Sequence, residues 1–155
     1  SFDRNREAKG EKRMNKETIF ESLIKEPVTH TQLVRYAGAS GDFNPIHTVV
    51  PFAEEAGLGG VIAHGMLIMG FVGQAIGQWV SVDDLRSYKA RFKAMTRPGE
   101  RITVNGQILQ ENADYFTCTA EAVNDQGEVK LVAEFTIKKG MYSFIEGGRM
   151  NGTIG

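Results

Sequence analysis

Residues 65–80 read GMLIMGFVGQAIGQWV, and this stretch decides the fold. It is apolar on most sides and long enough for about four turns of helix. Gly70, Gly73 and Gly77 recur within it at helical spacing, although a glycine inside a helix costs about 1 kcal/mol relative to alanine. We therefore expect a buried helix whose glycines allow a sheet or another helix to approach closely.

The sequence after residue 83 changes to a period of two, which is typical of strands. Apolar residues alternate with polar ones in four runs, at 88–94, 102–108, 116–122 and 129–137. Successive strands joined by short turns favour an antiparallel sheet. Together these patterns predict an α+β domain in which an antiparallel sheet wraps around one long central helix. Exposed sheet edges invite pairing, so we expect a homodimer.

The segment before the central helix predicts shorter elements. Residues 18–28, TIFESLIKEPV, suit an entering or edge strand. Thr29 or Thr31 then caps a short helix that ends near Gly38, and a second short helix covers residues 51–56.

Both ends of the chain differ in composition from the middle. Eight of the eleven residues from 3 to 13 are charged, which predicts a flexible arm over residues 1–14. Residues 141–155 form a Gly-rich C-terminal tail. A single domain is therefore expected over residues 15–140. The charged N-terminus does not have the pattern of a secretory signal.

The composition excludes several classes of protein. A formal net charge of −1 gives no reason to expect nucleic acid or an anionic membrane as partner. Cys118 is the one cysteine, and it alternates with apolar neighbours, so we expect a small core residue. The apolar run at 61–80 contains His64 and two glutamines, which would be costly in lipid. We expect a cytoplasmic protein with no membrane-spanning segment.

The turn before the central helix carries the clearest chemical signal. Residues 41–47 read GDFNPIH, which places Asp42 and His47 five residues apart in a proline-stiffened turn. Such a turn can aim both side chains at one water molecule, and histidine is the usual general base near neutral pH. In the alternative interpretation, Asp42 and Asn44 cap their own turn and the backbone satisfies His47.

A second signal lies at residues 63–67, AHGML. If a helix begins here, the Gly65 amide is one of its unpaired donors, with the positive end of the helix dipole behind it. Such an amide can hold a thioester carbonyl oxygen as it becomes enolate-like. The alternative is that Gly65 only begins a tightly packed helix.

Three segments resemble the MaoC-like family. They are YAGASGDFNPIH at 36–47, GGVIAHGMLIMG at 59–70 and SYKARFKAMTRPGERI at 87–102. The likeness covers roughly residues 29–139. The family includes the R-specific enoyl-CoA hydratases and the (3R)-hydroxyacyl-thioester dehydratases. The resemblance implies a hot-dog fold, in agreement with the helix and sheet predicted above.

The resemblance also implies roles for individual residues. Asp42 and His47 match the family's catalytic pair, Asn44 its supporting asparagine, and Gly65 the glycine whose amide forms the oxyanion hole. Three further side chains are expected at the substrate, with the histidine as structural support: Phe43, His64 and Met66.

The implied activity is reversible hydration of trans-2-enoyl thioesters, or dehydration of (3R)-3-hydroxyacyl thioesters, in fatty acid metabolism. The acyl group would ride on coenzyme A or on acyl carrier protein, as part of the substrate, and no metal or other cofactor is expected. The protein would act as a homodimer, or as a heterodimer with a paralogue. Two alternatives stay open: a non-catalytic acyl-thioester-binding subunit of a dehydratase heterodimer, and a hot-dog thioesterase.

Overall fold

A computed structural model describes the backbone of residues 12–140, 143–146 and 149–153, and the side chains of residues 14–140. Two single-turn 3₁₀ helices lie at Pro45–His47 and Val82–Asp84. The helices and strands, numbered in chain order, are β1 (Lys12–Arg13), β2 (Leu23–Ile24), α1 (His30–Ser40), α2 (Val50–Glu55), α3 (Gly65–Trp79), β3 (Leu85–Phe92), β4 (Thr103–Glu111), β5 (Tyr115–Val123), β6 (Val129–Lys138), β7 (Ser143–Glu146) and β8 (Arg149–Thr153).

The main sheet has five antiparallel strands in the order β2-β4-β5-β6-β3. The inward positions of β5 are the small or apolar side chains that alternation predicts, including Cys118 and Ala122, which are fully buried. Helix α3 packs against this sheet. The α+β class is therefore confirmed, and β3 is an edge strand of the sheet.

Trp79, the last residue of α3, anchors the helix to the sheet. Its ring is stacked on Phe20 with the centroids 4.9 Å apart, and its indole N–H donates to the Glu21 carbonyl at 2.6 Å. A Cβ atom on Gly106 in β4 would overlap the Trp79 ring. The helix and the sheet therefore approach closely at a glycine of the sheet.

The glycines of α3 do not make the close approach that their spacing predicts. Within the part of the chain that the structure describes, a Cβ atom on Gly70 or Gly77 would meet no atom within 4 Å, and one on Gly73 would lie 3.8 Å from the Tyr88 ring. Gly70 and Gly77 lie away from the sheet-facing side, which carries larger residues such as Phe71, whereas Gly73 leaves room for ordinary contact with the Tyr88 ring of β3. For Gly70 and Gly77 the prediction is wrong, because a regular helix spacing does not tell which face is packed.

The strand predicted at residues 18–28 is confirmed in part. Leu23–Ile24 pairs with β4 and Ile19 adds an isolated bridge. The Phe20 amide donates to the Gly106 carbonyl at 2.9 Å, so the segment follows β4 along the edge of the sheet. Phe20 turns into the core against Trp79, and the following carbonyl binds the Trp79 indole instead of a neighbouring strand. The next prediction is confirmed: Thr29 caps α1 by accepting a hydrogen bond from the Gln32 amide at 3.0 Å.

The predicted arm and tail lie largely outside the described residues. Residues 12–13 of the arm form β1, which pairs with β7 of the tail, and β7 pairs with β8. Cys118 is fully buried, as predicted, and burial raises the pKa of its thiol to about 12. No helix in the described ranges combines the length and the apolar character needed to cross a membrane.

The contact between Gly106 and Trp79 predicts a specific sensitivity. We expect Gly106→Ala to lower the free energy of unfolding by about 1–3 kcal/mol, because the added methyl group must displace a buried, stacked ring. Gly38→Ala is the matched control: a Cβ atom there meets nothing within 4 Å. It should raise stability by about 0.5–1 kcal/mol. Urea denaturation followed by fluorescence of the single tryptophan measures both; equal effects of the two substitutions would contradict the packing described.

Candidate active site

The turn that follows α1 fixes the carboxylate of Asp42. Gly41 ends the helix in the left-handed conformation, with φ of 78°. The Asp42 amide then donates to the Ser40 hydroxyl at 3.1 Å, and the Asn44 amide donates to Asp42 Oδ1 at 3.2 Å. Oδ2 makes neither of these bonds, so this oxygen is available for a second interaction.

Asn44 supports the site mainly through the backbone. Its side-chain oxygen accepts a hydrogen bond from the Ile46 amide at 3.2 Å and so caps the 3₁₀ turn Pro45–His47. Its own amide holds the Asp42 carboxylate. The turn is therefore closed by its own polar groups, as the alternative interpretation held, and this closure is also what aims Asp42 and His47.

His47 is held in one tautomer. Its Nδ1 lies 2.7 Å from the Ile62 carbonyl oxygen, which can only accept, so Nδ1 carries a proton, and in the neutral ring Nε2 keeps a lone pair. Nε2 lies 3.8 Å from Asp42 Oδ2, too far for a direct hydrogen bond. The His47 side chain is 10% exposed and that of Asp42 is 54% exposed. A base and a carboxylate thus face one gap that is open on the carboxylate side.

His64 lies beneath this pair. Its ring is stacked on the His47 ring, with centroids 3.8 Å apart and planes 22° apart, and the edge of Tyr36 meets it at 4.7 Å. Nε2 lies 3.1 Å from the Asp42 carbonyl oxygen and donates to it. The residue is buried, and its Nδ1 has no hydrogen-bond partner among the described residues.

Asp42, His47 and His64 offer ligand atoms that all lie within 4.8 Å of one another. An imidazole binds a metal through a lone pair in the plane of its ring, at about 2.0–2.1 Å for zinc. Two stacked rings with planes 22° apart do not direct their lone pairs at one point. The arrangement suits hydrogen bonding to water better than a shared ion, and the absence of a metal cofactor stays a prediction.

Gly65 begins α3, so its amide has no acceptor within the helix, and His64 provides no side-chain cap. Within the described ranges, no other backbone group accepts from it. A Cβ atom on Gly65 would lie 3.1 Å from the Phe92 ring. A side chain here would crowd the Phe92 ring, and the position leaves a helix N-terminal donor free.

A pocket of about 360 Å³ connects these groups, within the range of small-molecule sites. His47 and Gly65 both contribute to its lining. Its walls are mainly apolar, and the remaining lining residues are Ile62, Ala63, Ile68, Phe92, Lys93, Ala94, Met95, Thr96 and Lys130. The pocket can therefore hold an apolar chain beside a base and a carbonyl-binding amide.

The structure places three predicted substrate contacts outside this lining. Phe43 is 69% exposed and Met66 is 58% exposed, while His64 is buried behind His47. Contact between these residues and a substrate stays a prediction.

Lys130 forms the far wall of the pocket through a β-bulge. Ala122 pairs with Leu131 and Val123 with Val129, so Lys130 is the extra residue and its side chain turns inward. It is 2% exposed, and its ammonium group donates to the Met95 carbonyl at 2.8 Å.

Two carboxylates balance the charge of this buried ammonium. Lys130 Nζ lies 2.9 Å from Glu100 Oε1 and also pairs with Glu128. Burial opposes ionisation of Glu100, but hydrogen bonds from Lys130, an asparagine amide and a backbone amide outweigh it and lower the pKa of that carboxyl. The pocket wall at residues 93–96 is thus held by Lys130 and its two carboxylate partners.

Neither Lys130 nor Tyr36 was expected at the site. Alternation along β6 predicts that Lys130 faces solvent, and only the bulge reverses this. Tyr36 begins the motif segment at 36–47. Its place in the sequence does not indicate that it contacts His64. The sequence signal that could have indicated an internal ion pair is a lysine between apolar strand residues with glutamates nearby.

The chain is similar in sequence to known proteins. The family model described as "MaoC like domain" matches residues 13–130. The fatty acid synthase subunit beta of Aspergillus oryzae is 36% identical over 108 residues, which cover 62% of this chain and 5% of that protein. The chain spans only about one-twentieth of the length of this relative.

Solved structures share the fold. The (R)-hydratase from A. caviae involved in PHA biosynthesis has a TM-score of 0.71 at 21% identity, covering 81% of this chain and 96% of that one. The ChsH1–ChsH2 complex from Mycobacterium tuberculosis has a TM-score of 0.72 at 17% identity, covering 81% and 98%. These likenesses confirm the hot-dog fold.

The buried ion pair predicts a pH-dependent stability. We expect Lys130→Met to lower the free energy of unfolding by about 1–3 kcal/mol near neutral pH. Because folding lowers the pKa of Glu100, the advantage of the wild type is present above the ordinary glutamate pKa of about 4.3 and is lost as the pH falls through the lowered value. Urea denaturation at several pH values measures it. Lys138→Met, an exposed lysine in the same strand, is the control and should change little; a deficit of Lys130→Met that does not shrink as the pH falls would contradict the assignment.

Proposed function

Because the chain belongs to the MaoC-like family, we propose that it adds water reversibly to trans-2-enoyl thioesters and, in reverse, dehydrates (3R)-3-hydroxyacyl thioesters. The single observation that carries the proposal is the gap of 3.8 Å between His47 Nε2 and Asp42 Oδ2. A water molecule beside this gap, about 2.8 Å from each atom, can donate to both. Since the Nδ1 proton is used by the Ile62 carbonyl, Nε2 is free to accept a proton from that water.

In the proposed reaction, negative charge develops on an oxygen to which the chain can donate a hydrogen bond. His47 removes a proton from the water while the water oxygen bonds to Cβ of the enoyl thioester. The electrons of the double bond move toward the thioester oxygen, where the Gly65 amide donates a hydrogen bond. The enolate-like intermediate then takes a proton at Cα from the pair formed by His47 and Asp42. Water is thus added across the double bond, with its oxygen at Cβ and a hydrogen at Cα, and the protein is regenerated.

The two groups of the pair share this proton transfer. His47 and Asp42 face the same water, which links their proton transfers. Asp42 orients the water because the Asn44 amide holds its other oxygen. The mechanism uses only side chains, a backbone amide and water, with coenzyme A or phosphopantetheine as part of the substrate.

We also propose that a second copy of the chain, or a paralogue, covers one side of the pocket. Strand β3 lies at the edge of the sheet and its backbone can pair with another strand. Phe92 and Met95 line the pocket and are each 50% exposed. A partner along this edge would bury these apolar side chains and close the pocket around an acyl chain.

The proposed activity predicts that the purified chain hydrates crotonyl-CoA, followed as loss of the enoyl-thioester absorbance. We expect Asp42→Asn and His47→Gln each to lower kcat by about 100-fold or more, because each removes a group that transfers or orients a proton. A stereospecific dehydrogenase should identify the product as the R isomer. Turnover retained in both variants would contradict the assignment of Asp42 and His47.

The control is a core position outside the site. Ile137 is fully buried in β6 and lies outside the pocket lining, so Ile137→Val should cost about 0.5–1.5 kcal/mol of stability and leave kcat unchanged. Two results would favour the alternatives. Release of free thiol from the thioester would indicate a thioesterase. Binding of acyl thioesters without turnover, on coenzyme A and on carrier protein alike, would indicate a non-catalytic subunit.

The proposed assembly predicts a mass of twice 17.1 kDa in sedimentation equilibrium. Specific activity should fall on dilution as the dimer dissociates, because each pocket loses one wall. Full activity of a monomeric species would contradict the proposal. Activity that is restored only by an added paralogue would support a heterodimer over a homodimer.

A further inference from the structure

We infer that His64 is a positioning residue for the proposed reaction, held as a neutral ring with its proton on Nε2. The inference rests on the proposed function, because it assigns His64 a task in aligning the pair that handles water. It does not make His64 a catalytic residue, since the buried ring lies behind His47 and does not line the pocket.

The tautomer follows from the contacts of the ring. His64 Nε2 lies 3.1 Å from the Asp42 carbonyl oxygen, which only accepts, so Nε2 carries a proton. Nδ1 is buried and has no partner among the described residues. A second proton on Nδ1 would create a buried cationic donor without an acceptor, which is costly. The ring is therefore neutral.

The groups around His64 fit this assignment. The titratable groups that face it are Asp42, His47 and Tyr36. The Asp42 contact is made through its backbone carbonyl, and the Asp42 carboxylate is bound by the Asn44 amide. The Tyr36 ring contacts the His64 ring in an edge-to-face arrangement. An Asp42 carboxylate oxygen lies within 4.8 Å of a His64 nitrogen, but the hydrogen bond of His64 goes to the Asp42 carbonyl and not to this carboxylate.

His64 thus links the two members of the pair. Its N–H fixes the backbone of Asp42, and its ring face supports the ring of His47 at 3.8 Å. When His47 accepts a proton from water, the new imidazolium lies on a neutral aromatic face. Loss of either contact would let the gap between Nε2 and Oδ2 change, and small misplacements of reacting groups have large effects on rate.

Two substitutions separate the two contacts. His64→Phe keeps a flat ring against His47 but removes the donor to Asp42, whereas His64→Gln keeps a donor and removes the ring. We expect each to lower kcat by about 10- to 100-fold with little change in KM, because the pocket lining stays intact. Ile137→Val is expected to lower the stability and to leave kcat unchanged, so it controls for a merely structural effect.

Nitrogen-15 and proton NMR of the wild-type rings tests the tautomer without any substrate. The chain has three histidines, and His30→Gln removes the signal of the one outside the site. At neutral pH we expect His64 to be protonated on Nε2 only and His47 on Nδ1 only. A His64 ring that is doubly protonated, or protonated on Nδ1, would overturn the inference even if the variants fail to fold.

The outcomes keep the two proposals apart. If the wild type is active and His64→Phe and His64→Gln both retain kcat, the positioning role is wrong and the proposed function stands. If the wild type shows no turnover while the NMR signals are as expected, the proposed function fails and the assigned geometry of His64 stands, without its catalytic consequence.

Discussion

The hydrogen bond from His47 Nδ1 to the Ile62 carbonyl is the interaction on which the site depends. It joins the turn after α1 to the segment that leads into α3. The Ile62 amide returns a bond to the Ile46 carbonyl at 3.1 Å, so the two segments are tied in both directions. The tautomer of His47 and the starting point of the helix that presents the Gly65 amide are therefore set by the same short stretch of backbone.

The connection extends to the wall of the pocket. The Ala63 amide donates to the Thr96 carbonyl at 2.7 Å, and Lys130 holds the adjacent Met95 carbonyl from the opposite side. The base, the amide donor and the apolar wall thus belong to one hydrogen-bonded assembly. A rigid assembly of this kind favours catalysis by pre-set dipoles, since the donors do not have to reorganise during the reaction.

The sequence predicted those features that depend on short-range pattern. The apolar composition of residues 65–80 and the motif at 41–47 identify the helix and bring Asp42 and His47 to one gap. The remaining features depend on register and on long-range packing. Lys130 points inward because a bulge adds one residue to β6, and the Glu21 carbonyl turns from the neighbouring strand to accept a hydrogen bond from the Trp79 indole. Neither event leaves a signal in local periodicity.

The position of the one cysteine has a consequence for substrates of this chemical type. A thioester is open to exchange with any nearby thiolate, which would transfer the acyl group onto the protein. Cys118 is fully buried in the middle of β5, and its raised pKa keeps the sulfur protonated. For the proposed thioester substrates, the domain would therefore offer no competing sulfur nucleophile at this residue, because the packing of the core itself suppresses self-acylation through it.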